Sequence, residues 1–74
     1  MINILNIFVI CKDNEIQIND AVVVDGNFYL KIDIETPSNN LITLSNWFNH
    51  YKYSFKFIDK TDLDYIIKFD DIDK

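Results

Sequence analysis

Few side chains in this 74-residue chain could do acid–base or covalent chemistry. His50 is the only imidazole and Cys11 the only thiol. His50 falls at the end of a helical pattern, where a cation complements the negative end of the helix dipole. Cys11 lies in the apolar run "ILNIFVIC", where a thiol behaves as a small inert hydrophobe and not as a nucleophile. Ser38, Ser45 and Ser54 lie in no motif that would supply an activating base. The single glycine cannot build a phosphate-cradling loop. The chain reads as non-enzymatic.

Metal and cofactor chemistry fares no better. One cysteine and one histidine cannot complete a structural zinc site. Asp59, Asp62, Asp64 and Asp70 are spaced loosely like oxygen ligands of a calcium loop. The glycine for the sharp turn and the closing bidentate glutamate are both missing. No metal and no cofactor is expected.

Residues 49–57, "NHYKYSFKF", combine aromatics with lysines and could in principle stack nucleic-acid bases. Alternation puts Tyr53, Phe55 and Phe57 on one strand face and Lys52, Ser54 and Lys56 on the other, the ordinary signature of a half-buried strand. A net charge of −5 and the absence of arginine oppose binding to phosphates. Direct nucleic-acid binding is therefore not expected, and a small nucleic-acid-binding domain using the Lys52 and Lys56 face stays as an alternative.

Acidic residues carry the remaining signal. Residues 38–58 contain no acid, while six acids lie before them and six after. Asp33 and Glu35 share a strand face, and Asp62, Asp64, Asp70 and Asp71 gather near the C-terminus. Such rows attract a protein partner with a basic surface. Phe8 and Ile10, with Ile4, lie on the second face of the N-terminal strand: either the later strands shield them within the monomer, which is the favoured reading, or they are the candidate apolar anchors of a partner contact or the seam of a homodimer.

The elements that must position these residues follow from periodicity. Leu5, Ile7, Val9 and Cys11 alternate as a first strand, with Asp13 and Asn14 as a two-residue turn into a second. The second strand ends at "DGN", where burial favours a three-residue loop pairing Val24 with Phe28 and Val22 with Leu30. Asp20 would then face the core, so a bulge is expected near Asn19 and Asp20. Leu41, Leu44, Trp47, Phe48 and Tyr51 form one stripe of an amphipathic helix over residues 40–51, with Ser38, Asn39 and Asn40 as possible N-caps. Residues 53–57 and 63–69 alternate as a C-terminal β-hairpin turning near residues 60–62. Thr61 with Asp64 resembles a capping box, so a helix over residues 62–72 is the alternative for the last element.

The expected fold is α+β: residues 1–74 as a single compact domain, with a three-stranded antiparallel meander, one helix and a closing hairpin. The apolar start "MINILNIFVIC" is too short to span a bilayer and lacks the basic flank of a signal peptide. A lone cysteine fits a reducing cytoplasm. Ile, Asn, Lys, Phe and Tyr make up more than half of the chain, and their AT-rich codons point to an AT-rich genome. The expected function is a small acidic cytoplasmic protein-binding module. It would act as a non-enzymatic inhibitor of a host enzyme or nucleic-acid-handling complex, as anti-defence (anti-CRISPR-like) proteins of phages or mobile elements do. An antitoxin or immunity protein neutralising a cognate toxin is the alternative.

Overall fold

The computed structural model describes residues 2–70. The chain is a small compact α+β fold of two helices on a four-stranded antiparallel sheet. The elements run α1 (Ile4–Asp13), β1 (Ile18–Val24), β2 (Asn27–Asp33), α2 (Ser38–His50), β3 (Phe55–Lys60) and β4 (Asp64–Phe69). Strand order in the sheet is β1-β2-β4-β3, so the later strand of each hairpin, β2 and β4, is central.

The first element corrects the expected meander: residues 4–13 are helical, not a strand. An unbroken apolar run fits both periodicities, so the ends decide. Asn3 caps the helix, its side-chain oxygen accepting from the Asn6 amide at 3.2 Å. At the other end Glu15 turns left-handed, with φ of 57°. The Glu15 amide donates to the Lys12 carbonyl and the Ile16 amide to the Cys11 carbonyl, which is a Schellman closure. Residues 13 and 14 therefore end a helix and make no hairpin.

The β1–β2 turn is also shorter than expected. Val24 pairs with Asn27 across a two-residue turn, Asp25 and Gly26, with φ of 51° and 80°. These left-handed values at both positions are those of a type I′ turn, whose twist matches the strands. Phe28 therefore faces Val23, not Val24. The bulge between Ile18 and Asp20 is present, and it changes the face sequence so that the short turn and the buried row of β2 agree.

Helix α2 starts earlier than expected, and its N-cap is Pro37 without a side-chain cap. Only part of its apolar stripe is core. Leu44 and Phe48 are buried, whereas Trp47 is 42% exposed and Tyr51 is exposed as well, against the expected burial of both. The final element is a strand, and β3 and β4 form the expected hairpin. One sheet face carries both helices over Phe28, Leu30, Ile32, Ile67 and Phe69, which join Ile7, Ile10, Cys11, Leu44 and Phe48 in a single core.

The two halves of the chain repeat one another. Each runs helix, left-handed closure, bulged strand, tight turn, strand. Counterparts stand 37 positions apart: Ile7 and Leu44, Cys11 and Phe48, Glu15 and Lys52, Ile18 and Phe55, Leu30 and Ile67. Leu30 and Ile67 pair with each other on the central strands, and the pair Phe28–Phe69 maps onto Tyr65–Ile32. A local two-fold axis therefore passes between Leu30 and Ile67. It stands perpendicular to the sheet, because both helices lie on the same face.

Candidate functional site

Three surfaces hold the residues of interest. The first is the outer side of the helical layer. Helix α1 is apolar nearly all round, but only its Ile7, Ile10 and Cys11 side is buried. Among the described residues Leu5 is 72% exposed, Val9 47% and Phe8 37%. Val9 shares a cleft with Trp47 and Tyr51 of the other helix end, alongside Asn6 and Asp13. The rings there are ordered: Trp47 stacks on Tyr51 at 6.2 Å, and Tyr51 on Tyr53 at 5.6 Å. The Tyr53 hydroxyl accepts from the Asn6 side-chain amide at 2.7 Å, which ties this ladder to α1. An all-round apolar helix left half uncovered is the arrangement expected of a contact surface.

The second surface is one end of the sheet, where the fold collects Asp33, Glu35, Asp62 and Asp64 with Asp20 around a single recess. Asp33 and Asp64 are direct cross-strand partners, a like-charge pair that costs stability by itself. Asn19, in the β1 bulge, lies between them. Its side-chain amide donates to the Asp64 carboxylate at 2.8 Å and to the Asp33 carboxylate at 3.2 Å. Asp70 is remote from this end and forms an ion pair with Lys68 at 3.6 Å. Asp71 lies outside the described residues.

The third is an apolar groove between α2 and the β3–β4 hairpin. Leu41 and Tyr65 line it together with the more exposed Ile42 and Phe57, and Ser45 stands beside them. Lys60 projects over the Tyr65 ring, its ammonium 5.6 Å from the centroid.

The residues singled out in the sequence are thus distributed unevenly. Four of the acids come together. Ile10 is buried in the core, against the expected exposure of an anchor, and lines the floor of the cleft between Val9 and Trp47. Phe8 is partly exposed and rests edge-on against Phe28 at 6.1 Å. Lys52 occupies a left-handed turn after α2 and is not on a strand face with Lys56, which instead faces Lys68 across the β3–β4 ladder. Leu5, Val9, Trp47 and Tyr51 are exposed but were not singled out as contacts, and for Leu5 and Val9 the signal in the sequence is Asn3 as a helix cap before an apolar run.

Neither sheet edge is open along its length. The Asp20 carboxylate accepts from the Ala21 amide at 2.9 Å on β1, and the Asp59 carboxylate from the Lys60 amide at 2.8 Å on β3. Each follows a bulge, a combination that blunts an edge against strand addition. Cys11 is buried, and burial pushes its thiol up to about 12, which leaves it protonated at neutral pH. Among the described residues no three His, Cys, Asp or Glu side chains are close enough to hold a metal ion, and no helix is long and apolar enough to cross a membrane.

The chain matches no protein family, no curated protein and no solved structure.

Proposed function

We propose that this chain is a small protein-binding module that inhibits the protein it holds. The observation that carries the reading is the uncovered side of α1, continued onto α2 by Trp47 and Tyr51. Such apolar area costs solubility in a free-standing domain unless a partner covers it. The acidic end supplies long-range attraction to a partner with a basic surface, and a net charge of −5 extends that attraction beyond the contact itself. A nucleic-acid-handling enzyme of a host, antagonised by a phage or mobile element, is a partner of this charge. Leu5 and Val9 are the anchors, and the ring ladder forms the rigid side of the contact.

The test is capture from source cells with the immobilised chain and with a Leu5→Ser/Val9→Ser variant of matching circular dichroism. Support is a protein retained by the first and lost by the second, whose activity falls when the chain is added. An identical set of proteins on both columns would refute the reading.

A further inference from the structure

The cleft between the two helices is apolar only at its base. Ile10 and Val9 line that part, and α2 adds the rings of Trp47 and Tyr51, 42% and 44% exposed. The remaining lining groups are polar and belong to α1 and its cap: Asn6, Asp13 and Asn14. Asn14 donates its side-chain N–H to the Ile10 carbonyl at 2.8 Å. A carbonyl can only accept, so this bond fixes which end of the Asn14 amide is nitrogen and leaves its oxygen as an acceptor. Asn6 likewise commits an amide N–H, to the Tyr53 hydroxyl at 2.7 Å. Asp13 is exposed and, among the described residues, takes part in no ion pair.

The internal repeat shows how these groups are divided. Ile10 and Trp47 are counterparts, as are Asn14 and Tyr51, so equivalent positions of both helices line the cleft. What the sequence has placed there is unequal: rings from α2, acceptors and a carboxylate from α1. No cation lines it. Lys12 borders a separate recess with Phe8 and Glu15, and His50 packs T-shaped against the Trp47 and Tyr51 rings without lining the cleft. We infer that this cleft receives an arginine side chain of the protein partner. A guanidinium is flat enough to lie against an aromatic ring and carries donors at its rim for a carboxylate and amide oxygens. Lysine supplies the charge without the plane or the fork of donors. The inference rests on the protein-binding reading and names the group through which a basic partner is held beside Val9.

Trp47 is the only tryptophan, so its fluorescence reports on the cleft. The probes are acetyl-Arg-amide, its neutral isostere acetyl-citrulline-amide, and acetyl-Lys-amide. The expected result is a saturable change with the arginine probe, weaker binding of the lysine probe and no saturable change with citrulline. Asp13→Asn alters an exposed side chain and is expected to keep the wild-type melting temperature while weakening the arginine probe by about threefold or more. Three outcomes would each overturn the inference: no saturable response to the arginine probe, an equal response to citrulline, or unchanged affinity in Asp13→Asn. Asp13→Asn leaves Leu5 and Val9 in place, so these titrations can fail while capture through Leu5 and Val9 stands.

Discussion

Leu30 and Ile67 face each other across the central strands, each fully buried and each the other's counterpart in the repeated half. Their surroundings are related by the local two-fold axis, so truncating either leaves a comparable hole. Leu30→Ala and Ile67→Ala are each expected to cost about 2–5 kcal/mol, out of the roughly 5–15 kcal/mol typical of a domain. Chemical denaturation of the two variants checks this, and values that differ severalfold would speak against equivalent packing.

Phe48 and Trp47 are adjacent in α2 but differ in role. Phe48 meets Phe69 edge to face at 4.9 Å and Phe55 at 5.2 Å, and it is fully buried. Phe48→Ala is expected to destabilise by about 3–5 kcal/mol. Trp47→Ala removes a ring that is largely outside the core, and its cost should be about 2 kcal/mol or more below that of Phe48→Ala. Paired urea titrations measure the difference directly.

Both helices close on left-handed residues other than glycine, Glu15 and Lys52, with φ of 57° and 60°. The only glycine is already placed in the β1–β2 turn. A side chain in this conformation costs roughly 1–2 kcal/mol, part of which glycine returns through the flexibility of the unfolded chain. Lys52→Gly is expected to stabilise the fold by about 0.5–1 kcal/mol, seen as a higher melting temperature at neutral pH.

Cys11 is expected to resist alkylation in the native state and to react once the chain is unfolded. The pH dependence has a definite sign. The folded thiol titrates near 12 against an ordinary value of 9.0, so its contribution is present in full below pH 9. It is lost as the pH rises from 9 towards 12, because the unfolded chain releases the proton first. Cys11→Ala should flatten this alkaline fall in stability. An unchanged alkaline limb would assign the fall to other groups.

How far the sequence was legible can be read from particular residues. The bulge at Asn19 was visible because Asp20 would otherwise face the core, and the C-terminal strand because Tyr65, Ile67 and Phe69 alternate without interruption. Helix α1 was hidden because seven apolar residues among ten satisfy a strand as well as a helix, and only Asn3 marks the start. Reading it as a strand also placed Ile10 on an open face, whereas the helix turns it inward. Trp47 and Tyr51 look like core residues in the sequence because the apolar stripe of α2 is wider than the part of it that the sheet covers. The repeat is faint in the sequence because few counterparts are identical, among them Asn3 and Asn40, Asp25 and Asp62, and Lys31 and Lys68. What repeats is burial and backbone geometry, which identity does not record. The acidic end was legible as composition, but its assembly around Asn19 depends on strand order.

The most direct test of binding through the helical layer is the dissociation rate of the captured partner from the wild-type chain and from Leu5→Ser/Val9→Ser. Apolar anchors act on residence time, whereas exposed acids act on the rate of encounter. The account predicts dissociation at least about tenfold faster from the double variant, with the association rate nearly unchanged. It also predicts that Asp62→Asn/Asp64→Asn slows association and weakens its dependence on salt. A dissociation rate that is the same for wild type and the Leu5/Val9 variant would contradict it.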